Sequence, residues 1–458
     1  MDIFSKEKSF LDKINKPTND YEDKHKYFHT LHFIKVIKEL NTEEKDEKFK
    51  QYVEYIQPRN YQLRKKILKE ASAINTLRVS CSRAAEYIYG IDAANTEIGC
   101  RPEVFGQVFR FIKNFKDLKP STNLGINYFK GIGQTFHAGE DFLDLIDGLR
   151  AIDEVLLFLN FSHGDRLGHA LAMGINAKDY YKDKEYMIVI SKQDLLDNIA
   201  WILGKRIEYK IDISSWFLSK LETLFRKYFT EIYVGNIDSS IDNVTVENYF
   251  ESWKLRGDAP EPYLKLQKKE DELTKNSYSF LEKCRFNENG EVVKAREDKI
   301  ARLLYKEYHF NHKVKVKGNE MVEFKIEDTE YINLVEKIQE ALQKEVARKN
   351  IYIETNPSSN YLISPIKRYI EHPILKFNNL GLENGEKTHN LCVSVNTDDQ
   401  GVFATCLENE YALLALALLK EKDENGENKY NQTLVYEWID RLREMGLEQS
   451  FASIYQNM

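Results

Sequence analysis

Long apolar runs are absent from this chain of 458 residues. A membrane-spanning helix needs about 20 consecutive apolar residues, and no stretch of the sequence approaches that length. The first thirteen residues alternate charged and apolar side chains, which is unlike a secretory signal peptide. The sequence therefore predicts no membrane partner.

The sequence also has few cysteines and no excess of basic residues. The five cysteines lie far apart, without the paired spacing of metal or redox motifs: Cys81, Cys100, Cys284, Cys392 and Cys406. This pattern is typical of reduced thiols in the cytoplasm. The net charge of −7 offers no surplus of Lys and Arg for non-specific nucleic-acid binding. We therefore expect a cytoplasmic protein.

Short strand-like runs alternate with helical periodicity over much of the chain. Six runs are strand-like, and each ends in polar residues: 27–37, 87–92, 131–140, 166–170, 351–360 and 392–399. Three of the intervening segments repeat apolar residues at helical spacing: 61–84, 103–115 and 142–159. Such alternation indicates a parallel sheet covered by helices. The sequence predicts an α/β fold of the TIM-type (β/α) barrel.

The alternation breaks between residues 176 and 349, where Lys and Glu are abundant and long amphipathic helices are predicted. We therefore expect three regions: barrel strands in 1–175, a mostly helical insertion in 176–349, and the last two barrel strands with C-terminal helices in 350–458. The motif WKLRGD at 253–258 is interpreted as a charged loop without a catalytic role.

One helix of the insertion has a strongly apolar face, which carries Phe217, Leu221, Phe225 and Tyr228. We expect part of this apolar surface to cover the barrel and part to form a subunit interface. The sequence therefore predicts a homo-oligomer.

Residues able to carry chemistry fall at the ends of the predicted strands, where TIM-type barrels place catalysis. His137 and Glu140 follow the third run, His169 the fourth, and Asp398 and Asp399 the last. Imidazole and carboxylate groups can bind Zn²⁺, and both can transfer protons. Each motif alone also fits a structural role, such as a buried histidine or an aspartate at a helix N-terminus.

Taken together, these motifs resemble those of the adenosine and AMP deaminase family. HAGE, RLGH, NPSSN and VNTDD occur in the family's order at strand ends. The segment YGIDAANTE, at 89–97, is similar to the family's strand that contacts the purine. Family members usually have Gly where this chain has Asn95. The resemblance covers residues 27–418, apart from most of the insertion.

The resemblance implies hydrolytic deamination of adenine to the inosine product, with Zn²⁺ as cofactor. His137 and Asp398 would bind the zinc ion, and His169 would orient or deprotonate the attacking water. Glu140 would donate a proton to purine N1. The substrate would be an adenine nucleoside or nucleotide, with ATP, dATP and adenosine in RNA as open alternatives.

The same resemblance assigns substrate contacts to three further residues. Asp399 would form a hydrogen bond with purine N7, while Asn95 and Gly139 would contact the substrate. Because Asn95 stands where the family usually has glycine, this difference would affect recognition of the base or sugar.

Finer motifs are similar to two prokaryotic defence groups. TFHAGEDFLDLIDGLRAIDE and DRLGHALAMGI resemble the deaminase subunit of RADAR anti-phage systems and the CRISPR-associated deaminases fused to a CARF sensor domain. No CARF-like sequence precedes the deaminase motifs, which favours the RADAR type. This resemblance implies a role in anti-phage defence, a homo-oligomer and an ATPase partner.

One family motif is missing. The family's first barrel strand ends in an HxH pair that binds zinc, and none of the ten histidines here forms one. His29 and His32 are three residues apart, so a strand would point them to opposite faces. We therefore expect the first two barrel strands to be missing, through a split gene, a truncation or a degenerate subunit. The alternative function is a catalytically deficient scaffold or shell subunit, or half of a split deaminase with an upstream partner.

This expectation makes a prediction about zinc. One His and one Asp are too few ligands for tight zinc binding, so the chain purified alone should retain well under one zinc ion. Elemental analysis after gel filtration provides the measurement. A full complement of zinc that resists chelators would show that the expected deficit is wrong.

Overall fold

The computed structural model describes residues 28–36, 57–80, 87–115, 131–237, 244–264, 266, 290–382 and 388–451. Six strands form one sheet in the order β1-β2-β3-β4-β7-β8, and all their pairings are parallel. A separate antiparallel pair is formed by β5 and β6. The strands are β1 (His29–Ile34), β2 (Ile88–Ala94), β3 (Gly133–Ala138), β4 (Arg166–His169), β5 (Met187–Ser191), β6 (Met321–Lys325), β7 (Tyr352–Thr355) and β8 (Val393–Val395).

The helices of four or more residues pack around these strands. They are Tyr61–Ser80, Gly106–Lys113, Leu145–Phe158, Ala177–Asp183, Lys192–Glu208, Ser215–Ile232, Val246–Lys254, Glu261–Leu264, Gly290–Glu297, Lys299–Phe310, His312–Gly318, Thr329–Lys349, Pro357–Ile363, Ile374–Phe377, Gln400–Phe403, Leu407–Lys420 and Gln432–Glu448. Short 3₁₀ helices occur at Pro102–Val104, Leu171–Met173, Leu255–Gly257 and Tyr369–Glu371. No helix within the described residues is long and apolar enough to cross a membrane.

Each of the six predicted strand-like runs overlaps an observed strand of the parallel sheet, and β2 extends two residues beyond its predicted run. The predicted α/β architecture is therefore confirmed, and it fits a TIM-type fold. The predicted helices at 103–115 and 142–159 contain Gly106–Lys113 and Leu145–Phe158. The helix predicted at 61–84 is observed as Tyr61–Ser80, and its last four residues lie outside the described ranges, as do Tyr27 and Ile37 of the first run.

Two features of the region 176–349 differ from expectation. Its sequence predicted a mostly helical insertion, and the chain also forms the antiparallel pair of β5 and β6 there. The motif WKLRGD was interpreted as a charged loop, and this was wrong. Trp253, Arg256 and Asp258 are all buried, since the motif spans a helix end and the 3₁₀ helix Leu255–Gly257.

A buried ionic network connects this region to the helix that follows β3. Arg150 is fully buried and lies 3.1 Å from Glu154 and 3.4 Å from Asp197. Arg256 of the WKLRGD motif donates to the same Asp197 at 2.7 Å, and the Trp253 indole N–H donates to Glu154 at 3.0 Å. Because buried carboxylates are costly without partners, these side chains hold the two regions in one arrangement.

The apolar face predicted for an interface lies inside the chain. Phe217, Leu221, Phe225 and Tyr228 are all buried, so they stabilise the fold of this region instead of facing solvent. Exposed apolar side chains occur on the antiparallel pair, at Val189 of β5 and Met321 of β6.

The C-terminal segment closes the N-terminal end of the parallel sheet. Phe451 is fully buried, and a Cβ at either Gly90 of β2 or Gly133 of β3 would overlap its ring. The Arg166 guanidinium of β4 lies 3.7 Å from the ring centroid. Residues of β2, β3 and β4 thus all contact the Phe451 ring, and Gly90 and Gly133 leave the space that the ring occupies.

Replacing Phe451 tests this packing. Phe451→Ala should lower the free energy of unfolding by about 3–5 kcal/mol, because the ring leaves a cavity beside two glycines. Gly133→Ala should destabilise the wild-type chain but cost much less in the Phe451→Ala background. Urea denaturation of the four chains measures both effects. Equal costs for Gly133→Ala in the two backgrounds would contradict the contact.

Candidate active site

Parallel pairing of β3 with β4 brings two predicted site residues to one edge of the sheet. His137 pairs with Gly168, and Ala138 pairs with His169. A Cβ at Gly168 would lie 3.0 Å from Cγ of His137, which is closer than side chains normally approach. Glycine at this position therefore allows the His137 ring to lie across β4.

Three of the predicted residues meet at this edge. Glu140 Oε1 lies 2.9 Å from His169 Nδ1, and Asp398 Oδ2 lies 3.7 Å from His169 Nε2. One ligand atom from each side chain lies within 4.8 Å of the others. Ser359 orients the aspartate, because its hydroxyl donates to Asp398 Oδ2 at 2.7 Å.

The backbone at these positions adopts an unusual conformation. Gly139 has φ +75°, His169 has φ 61° and Asp398 has φ 56°. A non-glycine residue rarely adopts a positive φ, and such strained residues cluster at functional sites. Gly139 is further restricted, because a Cβ there would lie 2.6 Å from Cδ1 of Ile152.

The His137 imidazole faces a different partner. Its Nδ1 lies 3.2 Å from a carboxylate oxygen of Asp92, which also lies 2.9 Å from His32 Nδ1. Burial alone would lower the pKa of His137, but the Asp92 charge and hydrogen bond raise it to about 9. The His137 ring centroid lies 5.0 Å from that of His169, so the ring is adjacent to the cluster of Glu140, His169 and Asp398.

A hydrogen-bond chain fixes the orientation of the Asn360 amide. The backbone N–H of Ile374 donates to His372 Nδ1 at 3.1 Å, so the proton of this ring must be on Nε2. That Nε2 donates to Asn360 Oδ1 at 3.1 Å. Burial and the neighbouring His169 lower the pKa of His372 to about 3, which keeps the ring neutral.

Asn360 in turn assigns the proton of His169. Its amide nitrogen lies 2.7 Å from His169 Nδ1, so Nδ1 of the neutral ring accepts a hydrogen bond. The proton of the neutral ring is then on Nε2, which faces Asp398. The Asn356 amide nitrogen lies 2.9 Å from Nε2, so a proton on Nε2 requires the Asn356 amide to be turned with its oxygen towards that N–H.

Glu140 and His169 are electrostatically coupled. Burial alone would raise the pKa of Glu140, but the charge of a protonated His169 and its hydrogen bond outweigh burial and lower it. The 2.9 Å contact between Glu140 Oε1 and His169 Nδ1 therefore favours the ionised Glu140 carboxylate.

Two of the residues predicted to contact substrate have exposed side chains. Asp399 is exposed and its backbone N–H donates to Asp398 Oδ1 at 2.9 Å. Asn95 is exposed with φ 89°, and its side chain accepts from the Thr96 N–H at 2.7 Å. Asparagine tolerates a positive φ better than most residues do. It can therefore replace the glycine that the family usually has at this position.

Several functional neighbours were missed by the sequence reasoning. They are Asp92, Ser359, Asn360 and His372, whereas Asn356 was expected at the end of its strand. Asp92 and the NPSSN residues were quoted as motif members at strand ends, and that position was the available signal. His372 gave no signal in the sequence, because it contacts Asn360, which in turn contacts His169.

The cluster has the donor set of a divalent-cation site. It offers one imidazole and two carboxylates, which are ligands that Zn²⁺ accepts. Glu140 Oε1 is buried beside His169 Nδ1, at 2.9 Å. A metal ion therefore fits these side chains, and the adjacent His137 is a further candidate ligand.

Part of the chain is similar to known adenosine deaminases. The adenosine deaminase family model matches residues 324–435, which include Asn356, Asp398 and Asp399 but not Glu140 or His169. An adenosine deaminase of Plasmodium gallinaceum is 36% identical over 93 residues. The chain therefore spans only 20% of the length of that relative, and the match covers 20% of this chain.

The assignment of the His169 proton can be measured. ¹⁵N NMR of histidine-labelled protein without metal should show the neutral His169 ring protonated on Nε2. Asn360→Asp should move the proton to Nδ1, because a carboxylate oxygen would then accept from that nitrogen. Asn390→Asp, in an exposed loop, serves as the control. A wild-type ring protonated on Nδ1 would contradict the hydrogen-bond chain.

Proposed function

We propose that this chain catalyses the hydrolytic deamination of adenine in an adenine nucleoside or nucleotide. The observation that carries the proposal is the convergence of Glu140, His169 and Asp398 at the carboxyl ends of three parallel strands. This edge is where α/β enzymes of the TIM type perform chemistry. The family match to residues 324–435 supports the same reaction.

In this proposal Glu140 is the proton donor to purine N1. Glu140 lies 2.9 Å from His169 Nδ1 at this edge of the sheet, and a carboxyl group placed beside the base can act as a general acid. His169 orients the attacking water at purine C6 through its Nε2–H, on the side that faces Asp398. Protonation of N1 makes C6 more electrophilic, water adds there, and ammonia leaves to give the inosine product.

We propose zinc as the metal, held by His137 and Asp398. When bound, zinc would lower the pKa of a water molecule towards neutrality. Asp398 is held for this task by the Ser359 hydroxyl. Asp399, Asn95 and Gly139 contact the substrate, with Asp399 at N7.

The roles of Glu140 and Asp398 can be separated by substitution. With Zn²⁺ supplied, Glu140→Gln should keep metal but lose about 100-fold or more in kcat, because an amide cannot protonate N1. Asp398→Ala should lose both metal and activity. Ammonia release and elemental analysis measure the two effects for adenosine, ATP, dATP and an RNA oligomer.

Asp440→Asn is the matched control, because this exposed carboxylate pairs with Arg443 on a surface helix. It should leave metal content and kcat unchanged. Near-normal kcat in Glu140→Gln would show that the proton-donor assignment is wrong.

We further propose a cytoplasmic role in anti-phage defence, as a homo-oligomer with an ATPase partner. The exposed Val189 and Met321 of the antiparallel pair support an interface built by the insertion at 176–349. Light scattering of Val189→Glu/Met321→Glu against the parent tests this point. An unchanged oligomeric mass, or a monomeric parent, would rule that interface out.

The alternative is a catalytically deficient scaffold or shell subunit, or half of a split deaminase. It is favoured by the single imidazole in the three-residue cluster and by the absence of an HxH motif in the sequence. Turnover by the zinc-loaded chain excludes the scaffold. Turnover only after addition of an upstream-encoded chain identifies the split enzyme.

A further inference from the structure

Two buried charged side chains lie behind the turn that carries Glu140, and the proposed reaction uses neither. Lys35 is 1% exposed and follows β1, while Glu97 is 8% exposed and follows β2. A buried lysine or glutamate is costly unless polar groups compensate it. Their partners therefore indicate what these residues do.

Glu97 binds the turn through both of its carboxylate oxygens. Oε2 accepts from the backbone N–H of Gly139 at 2.8 Å, and Oε1 accepts from that of Glu140 at 3.2 Å. A carboxylate can accept at both oxygens, whereas an amide presents only one acceptor. In Glu97→Gln, the side-chain NH2 group would therefore face one of these backbone N–H groups, and that hydrogen bond would be lost.

Lys35 binds the other side of the same turn. Its ammonium donates to the backbone carbonyl of His137 and lies 4.3 Å from the ring centroid of Phe136. Burial raises the pKa of Glu97, while the Lys35 charge and the two N–H donors oppose that rise. The lysine therefore contributes both a hydrogen bond to the turn and a countercharge to the glutamate.

We propose that Lys35 and Glu97 are positioning residues that form a clamp on the backbone of residues 137–140. The inference rests on the proposed function, because it concerns the placement of its acid. Gly139 gives the turn its positive φ, and the clamp holds the three peptide groups around it. The Glu140 carboxyl is thereby set 2.9 Å from His169 and aimed at the reacting base.

The clamp predicts a loss in turnover with little loss in substrate binding. Glu97→Gln and Lys35→Met should each lower kcat about tenfold or more, with KM changed less than threefold, since a displaced acid weakens only the reacting state. Lys35→Arg keeps a cationic donor and should restore most of the kcat lost in Lys35→Met. Zinc content should stay at the wild-type level in all three.

Hydrogen exchange of the peptide that contains residues 137–141 gives a readout without turnover. Glu97→Gln should raise exchange at the Gly139 and Glu140 amides about tenfold, because their acceptors are disturbed. Asp423→Asn is the matched control: Asp423 accepts from two backbone N–H groups at 2.9 Å in an exposed loop, and its replacement should change neither quantity.

The outcomes separate the clamp from the proposed function. Faster exchange in Glu97→Gln supports the clamp even if the wild-type chain shows no deaminase turnover, which would reject the function alone. Unchanged exchange and unchanged kcat overturn the clamp. Lower stability with unchanged kcat for the folded fraction also overturns it, because the residues would then support only the fold.

Discussion

Parallel hydrogen bonding between β3 and β4 places Ala138 opposite His169, and the candidate site depends on this register. Glu140, two residues beyond Ala138, thereby comes within 2.9 Å of the imidazole. A shift of β3 by one residue would turn His137 to the opposite face of the sheet. A Cβ at Gly168 would lie 3.0 Å from Cγ of His137, so a side chain there would require His137 to shift.

The packing around this register is unusually polar. The helix Leu145–Phe158 behind β3 carries Arg150, whose buried ionic network reaches helix Lys192–Glu208 and the WKLRGD motif. At the other end of the strands, Phe451 fills the space left by Gly90 and Gly133. The insertion and the C-terminal segment thus both contribute to holding the strand ends in place, and the strained residues of the site depend on that rigidity.

Sequence patterns predicted the six parallel strands because each is a short apolar run that ends in polar residues. They also predicted Glu140, His169 and Asp398, which meet as expected at one edge. Patterns could not reveal the His372–Asn360–His169 chain, since these contacts join residues distant in sequence. They also misjudged 253–258, where charged side chains are buried because each finds a partner from another segment.

The proposed reaction requires an adenine base to bind with N1 at Glu140 and C6 between His169 and Asp398. A crystal structure of the zinc-loaded chain with a purine nucleoside analogue hydrated at C6 would test this requirement. We expect N1 to lie within hydrogen-bond distance of the Glu140 carboxyl, and the C6 hydroxyl to lie near His169 Nε2. A base bound away from this edge of the sheet, or with another ring edge facing Glu140, would contradict it.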